Sequence, residues 1–492
     1  MKPPFRSLLL SISLFVLPLL LANIYYIDDN GRAALGYTNW GPDGRPLADI
    51  VIKALFLSSH ISDIFPLPLI ATVLILAASL TQFSHHFLAG RSLSTVSLVS
   101  MTVFCNPYLL EIFSYRFDVL TLGSALSLSL IYCCRTDSGH RWLRFILGTG
   151  IIVAIYCLYQ TMINIAVFMI IADFIRNLHE RCEPTLILKS LARRIAEFFV
   201  GTLLYLKVIL PATFSGQDVA NHPTIATNNI SVTIINNLNS YLNFVNSTLA
   251  KHQGGVHFLM IICLIAMISA LVISLRYLRL HKGPLSLLVC FGAIIAPCVA
   301  VLLIPGSLLL LKNSLLTPRS LAGLSGYMLL TALLFTYALP QRLKSMNWLL
   351  IIPVLQSLIL VYTYGNSLRE QAKFNDDLVR QIKTDTRDLD YNSVYFIYSG
   401  QSAHSPVYNN AMVNYPVLSV LIPDYFSNWY WPVGNMMMNG LNQHWASPET
   451  GINTDVNRYI CHSVIFSRNQ DYIMWKLDNV IVVDFNRTNC QQ

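Results

Sequence analysis

Asp28 and Asp29 stand side by side where a long apolar run ends, in Tyr25-Tyr26-Ile27-Asp28-Asp29. A carboxylate placed there sees low dielectric on one flank and water on the other, which lifts its pKa toward that of a general base. The plainer reading is a helix-end pair that stops the apolar run. The company of Arg32, Asp43, Arg45 and Asp49 in the same loop favours function. A second cluster puts Glu111, Arg116 and Asp118 between two apolar blocks, from Asn106-Pro107-Tyr108 to Phe117-Asp118. Ionisable groups at that depth are costly unless paired or used. Arg116 and Asp118 read either as a structural ion pair or as a guanidinium fork presented to a phosphate. Gln160, and Arg319 in Thr317-Pro318-Arg319, complete the polar groups. No P-loop, G-x-S-x-G or H-E-x-x-H is present, so nucleotide hydrolysis, serine esterase and zinc protease chemistry have no motif to rest on.

The elements that must position these groups are membrane helices. Of 492 residues 54% are hydrophobic and 12% charged, against roughly 25% charged in an ordinary soluble domain. The apolar residues come in blocks close to the ~20 residues that cross a bilayer core. Eleven spans are expected, at 7–27, 64–83, 94–110, 118–134, 143–158, 162–177, 195–211, 257–275, 284–304, 320–339 and 347–365. Within these, the pairs 94–110/118–134 and 143–158/162–177 are short enough to be tilted or broken. The first block begins as a signal peptide does, but it lacks a small-residue cleavage site and reads as a retained helix.

When the loops alternate sides, sixteen Lys and Arg fall on one side and seven (Arg32, Arg45, Lys53, Arg116, Lys251, Lys312, Arg319) on the other. The positive-inside rule then puts the N-terminus in the cytoplasm, and an odd number of crossings puts the C-terminus outside. The same bias explains the net charge of +8 and leaves nucleic-acid binding without support. Three long segments share the outer side: 28–63, 212–256 and 366–492. Leu47 to Leu57 reads as an amphipathic surface stretch, and the Asn-rich region from Asn228 to Asn243 as a solvated connector or an amide surface for sugars. The chain thus divides into a transmembrane domain, 1–365, and a small α/β tail, 366–492, with a charged helix from Ser367 to Asp390 and strands at Val394–Tyr398 and Val480–Phe485. Within the tail, Tyr425 to Met438 carries Trp429, Tyr430, Trp431 and three methionines, an aromatic platform for a sugar or a surface that docks on the membrane domain. Cys461 and Cys490 lie together in the tail, where an oxidising compartment would pair them.

The pattern Tyr26-Ile27-Asp28-Asp29-x-x-Arg32-x-x-x-Gly36-Tyr37-x-x-Trp40-x-x-x-Gly44-Arg45-Pro46-Leu47 resembles the bacteriophage-type serotype-converting O-antigen glucosyltransferases. Further matches follow at Ser62-Asp63-x-x-Pro66-Leu67-Pro68, Asn106-Pro107 through Asp118, Tyr159-Gln160 and Pro318-Arg319, so the resemblance runs from the first span to about the tenth. It implies a C-type (GT-C-like) glycosyltransferase of the bacterial inner membrane that moves glucose from undecaprenyl-phosphate glucose to a sugar of the lipid-linked O-antigen on the periplasmic face. It also implies an acidic base in the first outer loop, here Asp28 or Asp29, and two small partners, a donor flippase and a donor-lipid synthase. On this reading Arg45, Arg116 and Arg319 hold the donor phosphate, and Trp40, Asp63, Glu111, Asp118, Gln160 and Lys476 contact donor or acceptor sugar. A single displacement inverts the anomeric centre. A divalent metal is compatible with paired carboxylates but not required where arginine already meets the phosphate, so no cofactor is expected.

Two rivals belong to other classes. A lipid-linked sugar flippase or transporter would place charges in mid-span, whereas those here cluster at the outer rim. An O-antigen polymerase or ligase would concentrate its polar groups in one large outer loop, whereas here they divide between an early loop and the tail.

Overall fold

A computed structural model describes residues 3–135, 140–215, 224–249, 254–426, 431–447 and 450–490. Lys251, Trp429 and Tyr430, singled out above, lie outside the described residues. Among those described, nine helices are long and apolar enough to cross a membrane. They are Pro4–Ala22, Leu67–Phe87, Arg141–Leu158, Gln160–His179, Pro184–Thr213, Gly254–Leu278, Pro284–Leu302, Pro318–Ala338 and Gln341–Asp385. Their outward residues are large and apolar, such as Ile146, Phe199, Met260 and Phe291, each more than half exposed. Water would not tolerate such a surface, and hydrocarbon would.

The expected spans 94–110 and 118–134 take a different form. Leu93–Phe104 and Pro107–Ser114 pass the length and composition test only together, and they meet at a bend of 71°. Pro107 cannot donate a helical hydrogen bond, and Asn106 caps the second piece through its side chain to Tyr108 N–H at 3.0 Å. Val119–Ile131 follows as a helix of 13 residues, short for a full crossing. The other suspect pair, 143–158 and 162–177, is unbroken, at 18 and 20 residues.

Between the first two long helices the chain folds into short elements. We label α1 (Pro3–Ala22), α2 (Asp28–Leu35), α3 (Pro46–Phe56) and α4 (Leu67–Phe87). Helix α2 ends at Gly36, whose φ of 70° suits glycine. The amphipathic stretch is α3, which buries Ala48 and Ile52 and exposes Ile50 and Leu55. The Asn-rich region forms the helix Ile230–Thr248, and its Asn237 amide donates to the carbonyls of Leu309 and Leu311 at 3.0 and 2.7 Å, so this residue braces a loop.

The last span does not end at 365. One helix, Ile351–Asp385, runs through that boundary and carries the chain from the membrane into the tail. The tail holds a five-stranded sheet of β1 (Tyr395–Ser399), β2 (His444–Trp445), β3 (Val464–Arg468), β4 (Ile473–Leu477) and β5 (Val480–Asp484), in the order β2-β1-β5-β4-β3. The expected strands are β1 and β5, paired in parallel, while β4 lies antiparallel to both β3 and β5. Cys461 and Cys490 form a disulfide. Tyrosines fasten the tail to the membrane domain: Tyr26 and Tyr364 hydroxyls donate to Leu421 O at 2.8 and 3.1 Å, and Tyr425 hydroxyl donates to Tyr25 O at 2.8 Å. Tyr425 thus takes the docking role of the two considered for its segment.

Candidate active site

Ile27, at the N-terminus of α2, has φ 50° and ψ −104°. That backbone is costly for a β-branched residue and persists only where the surroundings impose it. Here Ile27 N–H donates to Tyr425 hydroxyl at 3.0 Å, and its carbonyl accepts from the Asn30 amide at 3.1 Å. The turn sends Asp28 and Asp29 in different directions.

Asp29 is fully buried, and its carboxylate accepts from the backbone N–H groups of Tyr26 (3.1 Å), Arg116 (2.8 Å) and Phe117 (3.3 Å). Burial pushes its pKa up to about 7 even against those bonds. It joins the loop between α1 and α4 to the 106–118 segment and is closed to any substrate. Asp28 keeps 29% of its side chain exposed and pairs with Arg32, one helical turn on, at 3.4 Å. Of the two adjacent acids, Asp28 is the one a substrate can reach.

Asp118 is the buried hub. Its carboxylate accepts from Trp40 Nε1 at 2.5 Å and pairs with Arg45 at 3.3 Å and Arg32 at 3.5 Å. Trp40, wholly buried, also stacks on Arg32, whose guanidinium carbon lies 4.5 Å from the ring. Burial works against the charge on Arg32, yet Asp118 and Asp28 hold its pKa above the ordinary arginine value. Arg32 was not among the expected site residues, although its spacing of four from Asp28 on a helix was a signal. Arg45 also pairs with Asp43 at 3.1 Å, and its guanidinium carbon lies 5.8 Å from the centre of the Tyr159 ring.

Arg116 and Asp118 do not pair as one reading had it. Arg116 donates to Asp63 (2.6 Å), Asn23 Oδ1 (2.6 Å) and Ile24 O (2.7 Å), between the rings of Tyr25 and Phe65. With Nε and both terminal nitrogens engaged, it pins the end of α1 to the loop. Asp63 is engaged from both sides, since it also accepts from Tyr25 hydroxyl at 2.9 Å.

Arg319 is different. Its backbone N–H donates to Glu111 Oε2 at 2.6 Å and its side chain to Tyr115 hydroxyl at 2.8 Å, with Glu111 Oε1 at 3.5 Å from Nε. It retains 27% side-chain exposure, against 10% for Arg45, 7% for Arg116 and 4% for Arg32. Asp28 lies close enough for its charge to act on Arg319, Tyr115 and Glu111. The cluster therefore presents Arg319 as its most exposed guanidinium and three partly exposed carboxylates, of which Asp43 and Asp63 are taken up by Arg45 and Arg116, and Asp28 faces Arg32. Gln160 closes the floor by donating to Asp43 O and Tyr205 hydroxyl, both at 3.1 Å. Tyr205 in turn donates to the carbonyl of Gly44, whose φ of 77° and 2.9 Å clearance to that hydroxyl leave no room for a side chain.

Lys476 stands apart. It lies on β4 over the Phe466 ring at 5.6 Å, and among the described residues no contact joins it to this cluster. Nor do the described residues bring three or more His, Cys, Asp or Glu together as a metal site, since the cluster's carboxylates face guanidinium, hydroxyl and backbone N–H groups.

Comparison with known proteins bears on this arrangement. Over 452 residues the chain is 26% identical to an uncharacterized 55.3 kDa protein in the gtrB 5′ region of Salmonella phage P22, covering 90% of this chain and 91% of the relative. No solved structure matches. Residues 17–336, which contain every residue of the cluster, match the model of the family described as glucosyl transferase GtrII. The chain belongs to the GtrII glucosyl transferase family.

Proposed function

We propose that this protein is an inner-membrane glucosyltransferase that takes glucose from undecaprenyl-phosphate glucose and attaches it to a sugar of the lipid-linked O-antigen, altering the serotype. The observation that carries this reading is a partly exposed carboxylate, Asp28, and a partly exposed guanidinium, Arg319, in one cluster, held by Arg32 and Glu111 respectively and near enough for the charge of Asp28 to act on Arg319. An acceptor hydroxyl oxygen attacks the anomeric carbon as the bond to the phosphate oxygen breaks. The hydroxyl proton passes to Asp28, and the electron pair leaves on the phosphate, where Arg319 and Arg45 meet the charge. One displacement inverts the centre, so a β-linked donor yields an α-glucoside. Asp118 and Arg32 hold Arg45 and Asp28 in place, and Asp29 and Arg116 fix the backbone beneath them.

The membrane arrangement proposed is eleven crossings, with the bent segment and Val119–Ile131 counted with the nine long helices, cytoplasmic N-terminus and periplasmic tail. The excess of Lys and Arg on the opposite loops and the Cys461–Cys490 disulfide support it. A donor flippase and a donor-lipid synthase would supply the substrate on the correct face. The test is expression in cells that make both the donor lipid and a known O-antigen, followed by linkage analysis of that O-antigen. An added glucose branch with wild type and none with Asp28→Asn is expected. An unmodified O-antigen with wild type would overturn the reading.

A further inference from the structure

A cavity lies beside the cluster, where the membrane domain, the long helix Ile351–Asp385 and the tail meet. Its volume is about 290 Å³, at the lower edge of the ~300–1,000 Å³ usual for small-molecule sites. Asn23, Ile24 and Tyr25 form one wall just beyond the end of α1. Gln371, Asn375 and Asp376 come from the long helix, and Asn435 and Asn439 from the tail. The wall nearest the active-site cluster is shared with it: Asn23 holds Arg116, Tyr25 holds Asp63, and Asn30, which also lines the cavity, follows Asp29 directly.

We propose that this cavity binds a neutral stretch of the acceptor glycan, next to the sugar that receives the glucose. This rests on the glucosyltransferase reading above and names the site that holds its acceptor. Three features carry it. First, among the described residues the lining has neither lysine nor arginine, so it offers no cation to a phosphate or another anion. Second, its polar groups are mostly amides, which both donate and accept and so match hydroxyls of either sense. Several are held in position: Gln371 donates to Asn375 Oδ1 at 2.9 Å and accepts from Ser405 N–H at 2.8 Å, while Asn439 donates to Asn435 O at 3.0 Å. Among the described residues Asn435 Oδ1 is enclosed with no hydrogen-bond partner, so turning its amide toward the cavity gives a ligand hydroxyl an unused acceptor. Asp376 adds a carboxylate, an acceptor for two neighbouring hydroxyls at once. Third, the cavity sits where α1 leaves the membrane, the level at which a glycan on a lipid carrier emerges.

The tail thereby gains a function that its sheet does not otherwise show. The helix Trp431–Met438 approaches α2 so closely that a Cβ on Gly434 would lie 3.5 Å from Asn30 Cβ, so acceptor binding and the placement of Asp28 share one contact surface.

The test uses the full chain in nanodiscs with soluble O-antigen oligosaccharide, free of lipid, as the probe. Wild type is compared with the double variant Asn435→Ala/Asn439→Ala and with Asp376→Asn, each checked by thermal melting for an unchanged fold. Saturation-transfer NMR should show contact with the oligosaccharide in wild type and lose it in the double variant. In transfer assays the acceptor KM should rise tenfold or more, with donor KM and kcat at saturating acceptor unchanged. Equal oligosaccharide contact in wild type and variants, or a rise in donor KM instead, overturns the cavity assignment. A wild type that binds oligosaccharide in a variant-sensitive way yet transfers no glucose supports the cavity and refutes the glucosyltransferase reading, so the two fail separately.

Discussion

Replacing Asp28 and Asp29 separately with Asn should give opposite results, although the two residues are adjacent. Asp29 is wholly buried with a pKa near 7, where a carboxyl in water would titrate at about 3.8. A carboxyl with a raised folded-state pKa favours folding in its protonated form. Its contribution is complete below about 3.8 and is lost as pH rises through about 7. The difference corresponds to ~4 kcal/mol at most. Asp29→Asn removes this titration. The Asn oxygen takes over the two bonds from Tyr26 and Arg116, and its NH₂ faces the Phe117 N–H, the longest of the three contacts at 3.3 Å. One imperfect contact costs about 1–3 kcal/mol. Melting temperature measured from pH 5 to 8 in detergent should therefore fall with pH in wild type and stay flatter in Asp29→Asn, which keeps transfer within about tenfold of wild type. Asp28→Asn should leave the melting profile unchanged and lose about 10²–10⁴ in kcat, the range of a general base. If Asp29→Asn abolishes transfer with its fold intact while Asp28→Asn remains active, the two roles are reversed and the reasoning from accessibility fails.

Asp118→Ala leaves two buried guanidiniums and the Trp40 N–H without their shared acceptor. Such a loss costs about 3–5 kcal/mol, so size-exclusion profiles should show a sharp fall in folded protein, and an unaltered profile would contradict the hub assignment. Arg319→Lys should raise the donor KM and lower kcat without loss of folded yield, whereas Arg116→Lys, which abandons at least one of three short contacts, should chiefly lower the yield. Cys461→Ser opens a disulfide that closes a sequence separation of 29 residues. It should cost the tail about 3 kcal/mol, seen as faster proteolysis within 366–490.

The membrane class and most members of the candidate cluster were legible in the sequence because charge is rare in an apolar chain, so acids and bases at the ends of apolar blocks stand out by position alone. Their partners were not legible. Arg116 and Asp118 are two residues apart, yet each is satisfied by a group more than 50 residues away, Asp63 for one and Trp40 for the other. Packing decided this: Asp29 seizes the backbone of Arg116 and Phe117 and turns the neighbouring side chains to opposite sides. The same event separates Asp28 from Asp29, which composition alone leaves equivalent. The bend near Asn106-Pro107 was signalled by the shortness of its block, but its angle depends on how the two pieces pack. In the tail the hairpin β3–β4 went unseen, although Asn469 and Asp471 mark its turn, because its strands are mixed in character rather than alternating. The amides of the cavity between the membrane domain and the tail come from positions 23, 30, 371, 375, 435 and 439, with no motif to unite them before folding.

The most direct measurement is transfer by the purified wild-type chain in proteoliposomes, with undecaprenyl-phosphate glucose supplied in the leaflet on the tail side and a lipid-linked O-antigen unit as acceptor. The expected result is one glucosylated acceptor and one undecaprenyl phosphate released per donor consumed, with an α-glucoside formed from a β-linked donor and no such product from Asp28→Asn. Absence of transfer with wild type, or retention of the β configuration, would contradict a single displacement driven by Asp28 at this site.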